Sequence, residues 1–297
     1  MRILQQQENQ LLRDNLNAKS NGYAFFCVYL QPENDNIIYN MKEVHDFTIV
    51  GRRDYGESYF ALDLSHGGAM QPVLPGQFVE VLVEDEPRVM LRRPISVHDA
   101  DNGHGTLSLL IQKVGNGTRR LATLGIGQKV NLVYPLGHGF SVEAYRNPLL
   151  VGGGAGIAPL LYLAKSLKAI GVQPVILLGG RTADLIPARE RFEPYGQLFV
   201  ATDDGSMGHR GLVVDHPAFA ADYDMIFACG PTPMMRAVAR SAASRGIRCE
   251  VSLENMMACG VGACLCCVTD TDQGHRCVCK DGPVFNIDNM KKWYEQC

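Results

Sequence analysis

Six of the ten cysteines in this chain lie within thirty residues, from Glu254 to Pro283. No other feature restricts the fold of a segment so strongly, because crowded thiols need a ligand or a disulfide framework. The N-terminus carries acidic and amide residues where a secretory signal would place a basic patch and an apolar run. We therefore expect a cytoplasmic protein, whose reducing surroundings favour metal, cluster or redox chemistry over structural disulfides.

The spacing of these cysteines points to one kind of ligand. Cys259, Cys264 and Cys267 form the pattern C-x4-C-x2-C, and Cys279 follows them. This is the spacing of plant-type two-iron ferredoxins, so we predict that the four thiolates hold a 2Fe-2S cluster. The small residues between the first two cysteines permit a tight loop that turns backbone N–H groups toward the cluster sulfides.

Two alternatives stay open within the cysteine segment. Structural zinc is the competing ligand, although it usually shows paired C-x2-C halves or Cys/His knuckles. Cys266 and Cys277 are additional thiols, and either one is able to replace a neighbour as ligand or to serve as a small buried hydrophobe. Three further cysteines have no recognisable metal spacing and receive no function: Cys27, Cys249 and Cys297.

The composition argues against two classes of partner. The formal net charge is -3 and there is no Lys/Arg-rich block, so the electrostatic footprint of nucleic-acid binding is missing. The longest apolar stretches, such as Tyr23 to Leu30, fall far short of the roughly 20 residues needed to cross a bilayer. We expect neither a nucleic acid nor a membrane as partner.

The sequence pattern changes three times along the chain. Residues 1–42, rich in Gln and Asn, are predicted to be an extension that is poorly ordered or precedes the native start. Residues 43–142 alternate short apolar runs with turn residues, which indicates an antiparallel β-barrel or sandwich. Strands alternate with helical runs over residues 143–250, which indicates a parallel α/β domain. With the cysteine module over residues 251–297, we predict a multi-domain β plus α/β protein.

Two turns end strands of the predicted α/β domain. The glycine-rich stretch Gly152 to Gly156 lies between an apolar strand and a helical run, where a backbone is able to approach a pyrophosphate. Cys229, followed by Gly230 and Pro231, ends a second strand at the carboxyl edge of the sheet, where ligands of open α/β folds collect. The simpler interpretations are a glycine turn that serves only strand–helix packing and a buried structural cysteine.

Two unusual motifs occur in the predicted barrel. Arg93 and Ser96, in the run R-P-I-S, are able to pair with a phosphate and to hydrogen-bond a polar ring edge. The run G-x-G-T, which ends at Thr118, is able to contact a second phosphate through backbone N–H groups and a hydroxyl. Taken alone, the arginine is a solvated surface residue and G-x-G-T an ordinary hairpin turn.

The order of these motifs, over about residues 43–283, resembles the ferredoxin-NADP reductase superfamily. The strings M-A-C-G-V-G-A-C-L-C-C-V and C-V-C-K-D-G-P-V-F are similar, more specifically, to the electron-transfer subunits of two-subunit, NAD-linked dihydroorotate dehydrogenases. The resemblance implies three ligands: FAD on an antiparallel barrel, NAD on a parallel α/β domain, and a 2Fe-2S cluster in a small C-terminal module.

The resemblance also implies which residues bind each ligand. The residues that match FAD motifs or flank the flavin are Arg93, Pro94, Ile95, Ser96, Leu110, Ile111, Gln112, Gly117 and Thr118. Those that bracket the nicotinamide nucleotide are Gly153, Gly154, Gly156, Gly230 and Pro231, with Cys229 as the catalytic wall residue. The cluster ligands are Cys259, Cys264, Cys267 and Cys279. Because Cys266 replaces a usually small residue and the following interval is short, Cys277 competes for the fourth position.

The implied function is electron transfer from the FMN of a catalytic subunit, through the cluster and FAD, to NAD+ in pyrimidine biosynthesis. The partner would be an FMN-containing dihydroorotate dehydrogenase subunit, in a heterotetramer of two plus two chains. One alternative is a flavin and iron-sulfur subunit of a sulfide dehydrogenase or of an NADH-dependent ferredoxin-NADP reductase. The alternative from another class is a zinc-stabilised, nucleotide-sensing regulator.

The choice between NAD and NADP is left open by the residues themselves. Arg181 follows the second predicted α/β strand, where it either contacts a 2'-phosphate or is merely solvated. Asp203, Asp204 and Gly205 form either a loop near the nucleotide or a solvated acidic turn. The family resemblance favours NAD.

Overall fold

The computed structural model describes residues 41–296. The predictions for residues 1–40, and for Cys27 and Cys297, concern positions outside that range. None of the helices within it has the length and hydropathy that a bilayer-spanning helix requires.

The first part of the described chain forms a closed barrel in which every strand pairs antiparallel to its neighbours. Its six strands are β1 (Glu43–Tyr55), β2 (Tyr59–Ser65), β3 (Phe78–Val81), β4 (Arg93–Asp101), β5 (Thr106–Gln112) and β6 (Lys129–Leu136), in the order β1-β2-β5-β4-β3-β6. Side chains such as Phe47, Leu62 and Leu109 fill its interior with no exposure. The predicted antiparallel barrel is confirmed, and its closure removes free strand edges.

Strand β4 is the element that the sequence pattern does not indicate. It carries R-P-I-S, and Pro94 lacks the N–H that a central strand normally donates. The first four residues of β4 are half-buried, so they show neither an apolar run nor a clear alternation. Pairing with β3 on one side, where Pro94 is opposite Glu80, and with β5 on the other makes the segment a strand. A short helix, α1 (Asn116–Leu121), follows β5; Gly115, the first residue of G-x-G-T, caps its N-terminus, and the other three residues of that run lie in its first turn.

A seven-stranded sheet forms the second part, and its predicted parallel α/β character is confirmed. Its strand order is β10-β9-β8-β7-β11-β12-β15, and all pairs are parallel except the last. The strands are β7 (Pro148–Gly153), β8 (Val175–Gly180), β9 (Gln197–Thr202), β10 (His209–Arg210), β11 (Met225–Cys229), β12 (Arg248–Ser252) and β15 (Val284–Asn286). Helix α2 (Ala158–Ala169) follows β7, and helix α3 (Thr232–Ser244) follows β11. Their apolar faces cover opposite sides of the sheet.

The C-terminal module is held against both other parts. It contains a hairpin of β13 (Val268–Thr271) and β14 (Gly274–Cys277), then α4 (Val278–Asp281) and, after β15, α5 (Lys291–Glu295). Strand β15 adds to the edge of the large sheet, and the backbone N–H of His138 donates to the carbonyl of Gly282 at 2.6 Å. Its buried cysteines share one apolar core with β11, β12 and α3. Because the C-terminal module shares this sheet and this core with the preceding part, the boundary predicted between residues 250 and 251 stays a prediction.

Candidate functional site

A cavity of about 600 Å³ opens at the carboxyl ends of the parallel strands. Its walls come from the turn after β7, the ends of β8 and β9, and the turn after β11. The barrel closes one side through Tyr59 and Gln112. This position, at the edge where ligands of open α/β sheets bind, suits an elongated ligand that touches both the barrel and the sheet.

The cavity floor is backbone because glycines form it. A Cβ on Gly153 would lie 2.6 Å from the Met234 sulfur, and a Cβ on Gly156 would lie 2.3 Å from the Gly230 nitrogen. Gly154, which also lines the cavity, has a φ of +57°, in the left-handed region that glycine adopts without strain. The two predicted nucleotide turns therefore touch each other, and any side chain at Gly156 would separate them.

Cys229 lies under this floor, and its side chain is not part of the cavity wall. The residue is 1% exposed and packs among the apolar side chains beside α2, whereas Gly230 and Pro231 line the cavity. Burial raises the pKa of the Cys229 thiol, and the nearby Glu254 carboxyl adds to the effect. The thiol is therefore uncharged and shapes the site from below. A catalytic role for it stays a prediction.

The two barrel motifs, separated in sequence, meet in space. A Cβ on Gly117 would lie 3.1 Å from the Arg93 side-chain Cδ, so the glycine makes room for the arginine stem. Among the described residues, Arg93 makes no close ion pair, although its charge acts on the Glu80 carboxyl of the neighbouring strand; its Nε donates to the carbonyl of Arg92 at 2.9 Å. A cation with free donors beside a glycine turn fits an anionic ligand group, as the phosphates of FAD would require.

Thr118 is used differently from the sequence interpretation. Its hydroxyl accepts hydrogen bonds from the N–H groups of Val114 at 3.0 Å and Gly115 at 3.2 Å, and the residue is 7% exposed. The side chain thus closes the turn before α1. A phosphate contact by Thr118 stays a prediction, and the backbone of Gly117 offers a further N–H group for it.

The strand predicted to flank the flavin contributes one residue to the cavity. Gln112, at the end of β5, lines it. Ile111 points into the barrel core, and Leu110 packs in a small cluster with Tyr59 and Ala158. Because side chains alternate along a strand, Ile111 faces the barrel interior, whereas Leu110 and Gln112 face the side of α2 and the cavity.

Two cavity residues were missed by the sequence interpretation. Tyr59, at the start of β2, is 1% exposed, and burial raises the pKa of its phenol. The Glu254 side chain is exposed and lines the cavity, and desolvation by the surrounding protein raises the pKa of its carboxyl. Glu254 follows β12, and the rule that functional groups collect at the carboxyl ends of strands was the available signal.

Arg181 and Asp203 both line the cavity. They follow β8 and β9, and the Asp203 N–H donates to the carbonyl of Gly180 at 3.1 Å. Asp204 instead closes its own turn, because its carboxylate accepts from the Ser206 N–H and hydroxyl. Because a cation and an anion both line the cavity, its geometry does not select between NAD and NADP.

The cysteine loop holds the four predicted ligands as two neighbouring pairs of thiols. Left-handed backbone at Gly260 and Gly262 turns N–H groups inward: Val261 donates to the sulfur of Cys259 at 3.4 Å and Gly262 to that of Cys279 at 3.1 Å. Burial opposes ionisation of Cys259, but loop N–H groups outweigh it and lower the pKa of its thiol to about 6. At Cys259 the loop therefore favours thiolate, the form that binds metal, whereas burial and the neighbouring Cys267 raise the pKa of the Cys279 thiol.

The loop geometry distinguishes between the two candidates for the fourth ligand. The N–H of Cys279 donates to the sulfur of Cys267 at 3.4 Å, which places these two residues side by side. Cys277 lies in the hairpin opposite Val268, and its N–H is taken by the carboxylate of Asp281. These contacts favour Cys279, whose assignment as the fourth ligand stays a prediction.

The arrangement of donors also bears on zinc. Within residues 41–296, no three His, Cys, Asp or Glu side chains converge as the ligands of a single metal ion would. Instead, the thiols form two neighbouring pairs, Cys259 with Cys264 and Cys267 with Cys279. Paired thiols suit a two-iron cluster, in which each iron takes two protein sulfurs.

The cysteine loop lies directly against the barrel. Glu80 on β3 is 1% exposed, and a Cβ on Gly260 would lie 2.7 Å from its Cγ. Neither carboxyl oxygen has a hydrogen-bond partner among the described residues, and burial raises the pKa of Glu80 to about 7 against the opposing charges of Arg93 and Arg92. Since Glu80 pairs with Pro94, a single strand separates the loop from R-P-I-S.

Comparisons with known proteins agree with this geometry. A family model for the iron-sulfur cluster binding domain of dihydroorotate dehydrogenase B matches residues 254–291. The dihydroorotate dehydrogenase B (NAD(+)), electron transfer subunit of Bacillus cereus (strain Q1) is 37% identical over 261 residues, which cover 84% of this chain and 99% of the relative. The subunit of the same name from Bacillus anthracis (strain A0248) matches to the same extent.

Solved structures extend the comparison to the fold. An NADH-dependent reduced ferredoxin-NADP oxidoreductase has a TM-score of 0.74 and 32% identity, over 82% of this chain and 88% of that chain. The ferredoxin reductase of carbazole 1,9a-dioxygenase shares the fold at a TM-score of 0.60 and 22% identity, over 69% of this chain and 67% of that one. With a relative matched over nearly its whole length, the chain belongs to the family of dihydroorotate dehydrogenase B (NAD(+)) electron transfer subunits.

Proposed function

We propose that this chain takes electrons from an FMN-containing dihydroorotate dehydrogenase subunit and delivers them to NAD+ in the de novo synthesis of UMP. It would do so with a 2Fe-2S cluster on the cysteine loop, FAD on the barrel and the dinucleotide in the cavity. A nicotinamide exchanges electrons in pairs, a two-iron cluster exchanges them singly, and a flavin does both.

One observation carries this proposal. The cysteine loop contacts β3, and β4, the next strand, carries R-P-I-S. Neighbouring strands lie only about 4.8 Å apart, so ligands held on either side of β3 are close without any rearrangement. The chain thus needs no substrate base of its own, and its residues serve to place the electron carriers in series.

The residues of the chain divide this work. The guanidinium of Arg93 and the backbone around Gly117 would hold the phosphates of FAD, while the turn at Gly153–Gly156 and the turn at Gly230 would hold NAD. Cys229, as an uncharged thiol beneath the floor, would support the nicotinamide end. Tyr59 and Glu254 would border the same space from the barrel and from the end of β12.

The surface of the cysteine loop suits a protein partner. Cys264 and Cys266 are exposed, and the neighbouring Leu265 and Met256 are 65% and 84% exposed. Large apolar side chains beside a redox centre are expected where another subunit docks. We propose that the FMN-containing subunit covers this loop, in an assembly of two copies of each chain in the cytoplasm.

The first test compares two neighbouring thiols. Cys264→Ser should remove the cluster and block dihydroorotate-to-NAD+ transfer by the assembled enzyme, while NADH-to-dye activity through FAD is kept. Cys266→Ser, which changes an adjacent exposed thiol, is the matched control and should retain both activities. Iron, sulfide and flavin are quantified in the same samples, with about two irons, two sulfides and one FAD expected per native chain.

Retained coupling in a cluster-free Cys264→Ser protein would contradict the proposed route. Zinc without flavin in the native protein would favour the regulator that binds nucleotides without turnover. The sulfide dehydrogenase and ferredoxin-NADP reductase alternatives have less support, because the matched relatives carry the dihydroorotate dehydrogenase name and the four-thiol set is intact.

A further inference from the structure

A row of polar contacts joins helix α2 to the barrel. Ala158, Tyr162 and Lys165 lie on one face of α2, spaced at i, i+4 and i+7. The Tyr162 hydroxyl donates to the carbonyl of Val73 at 3.0 Å, and the Lys165 ammonium donates to the Asp99 carboxylate at 2.8 Å. The third contact joins His98 to Ala158. We call these three contacts the polar seam.

His98 makes the seam contact that lies nearest to the cavity. The side chain has no exposure, and its Nδ1 lies 2.8 Å from the carbonyl oxygen of Ala158. Because a carbonyl oxygen only accepts, Nδ1 must carry the hydrogen and Nε2 the lone pair. Within residues 41–296, Nε2 has no hydrogen-bond partner. Burial, with Arg191 nearby, lowers the pKa of His98 to about 3, so the ring is neutral.

The two ends of this hydrogen bond belong to the two halves of the site. His98 is two residues beyond Ser96, the last residue of R-P-I-S, on the same strand β4. Ala158 is the first residue of α2 and follows the turn Gly154–Ile157, whose glycines line the cavity. One buried hydrogen bond therefore connects the strand that carries the flavin motif with the turn that carries the nucleotide motif.

We propose that His98 is a positioning residue for hydride transfer: its Nδ1–H fixes the glycine turn relative to the R-P-I-S strand. The proposal rests on the proposed function, since it assumes that FAD lies on the barrel and NAD on the turn. Hydride transfer moves two electrons and one hydrogen between nicotinamide and flavin, and His98 neither gives nor takes an atom. A displacement of about 1 Å is enough to slow such a step a hundredfold.

The test uses two substitutions: one keeps the packing and loses the hydrogen-bond donor, and the other keeps a donor and loses packing. His98→Leu fills the buried space and removes the donor. His98→Asn leaves part of the space empty but carries an N–H at the place of Nδ1. FAD reduction by NADH is followed in single turnovers of the full-length holoprotein, together with the melting temperature, the flavin content and the dissociation constant for NADH.

We expect His98→Leu to slow FAD reduction by a factor of about ten to a hundred, with a smaller change in NADH affinity. His98→Asn should reduce FAD at a rate within about threefold of wild type, although it melts at a lower temperature because of its cavity. His98→Asn would then reduce FAD faster than His98→Leu although it melts at the lower temperature. If His98 served only in packing, the variant with the lower melting temperature would also reduce FAD more slowly.

Tyr162→Phe supplies the control, since it removes another buried hydrogen bond of the polar seam one turn farther along α2. It should lower the melting temperature and leave FAD reduction unchanged. If His98→Leu does not fold, His98→Gln replaces it, because its amide lies near the place of Nε2.

Wild-type rates in His98→Leu, or equal slowing in Tyr162→Phe, would overturn the positioning role. Wild-type holoprotein whose FAD is not reduced by NADH would instead contradict the proposed function, so the two failures are distinguishable.

Discussion

The cysteine loop and the glycine-lined cavity form binding sites by opposite means. The loop depends on side chains, because four thiols at fixed spacing converge and backbone N–H groups donate to their sulfurs. The cavity depends on the lack of side chains, because its floor is the backbone of two touching turns. Replacing a ligand thiol by a weaker ligand should therefore abolish the cluster site. Adding a side chain to the cavity floor should instead have an effect that depends on the space around that position.

The largest effect is expected from the fourth thiol of the loop. Cys279→Ser should leave less than one iron per chain instead of about two, because one iron loses a thiolate ligand. Cys277→Ser, two residues away, should keep the iron content and the visible spectrum of the native protein. If Cys277→Ser loses the cluster and Cys279→Ser keeps it, the assignment of the fourth ligand is reversed.

The next largest effect, on stability and NADH binding, is expected at one of two glycines of the cavity floor. Gly156→Ala should destabilise the protein by about 3 kcal/mol or more and abolish NADH binding, because the new methyl overlaps the Gly230 backbone. At Gly154 only the Tyr59 hydroxyl, 3.8 Å away, comes near an added methyl, so Gly154→Ala should cost only the left-handed strain of about 1 kcal/mol. Chemical denaturation and NADH titration measure the stability and the NADH affinity of the two variants. Similar losses of stability and affinity at the two positions would contradict a floor built from backbone.

The smallest effect concerns Glu80, which lies between the cysteine loop and the R-P-I-S strand. Burial raises the pKa of its folded-state carboxyl from 4.5 to about 7, so the folded protein keeps a proton that the unfolded chain releases. The stability from this group is therefore present below pH 4.5 and declines as the pH rises to 7. At about 1.4 kcal/mol per pKa unit, the decline is on the order of 2 kcal/mol once partial solvent access is allowed for.

Glu80→Gln should remove that decline and be the more stable protein at pH 8, as measured by denaturation of the holoprotein from pH 4.5 to 8. Glu84→Gln removes the same charge from an exposed position beyond β3 and should leave the pH dependence unchanged. A wild-type stability that does not fall over this interval would show that the carboxyl is ionised in the folded protein.

The sequence predicted most of the fold because its signals are local. Short apolar runs with turn residues indicated the barrel, and alternating strands and helices indicated the parallel sheet. It missed β4, whose proline and half-buried residues hide a strand that only its two neighbours create. The predicted boundary of the C-terminal module also remains a prediction, since β15 completes the sheet of the preceding part.

The candidate site shows the same limit. Arg93 and Gly117 were predicted separately, and their contact depends on the closure of the barrel. Tyr59 and Glu254 were missed because a single tyrosine or glutamate after a strand is common, and only the shape of the cavity gives them significance. The Thr118 hydroxyl was expected to face a phosphate, whereas its turn uses it.

By itself, the sequence determined the chemistry: the thiols at cluster spacing, the glycines at strand ends, and the motif order that marks the family. Each of these is a property of residue type and spacing, which the chain carries whether or not it is folded. Only the tertiary structure decided proximity. It placed the cysteine loop one strand from R-P-I-S, buried Glu80 between them, and joined His98 to Ala158, directly after the glycine turn. Such contacts unite residues far apart in the chain, because packing and burial choose partners that no local pattern specifies.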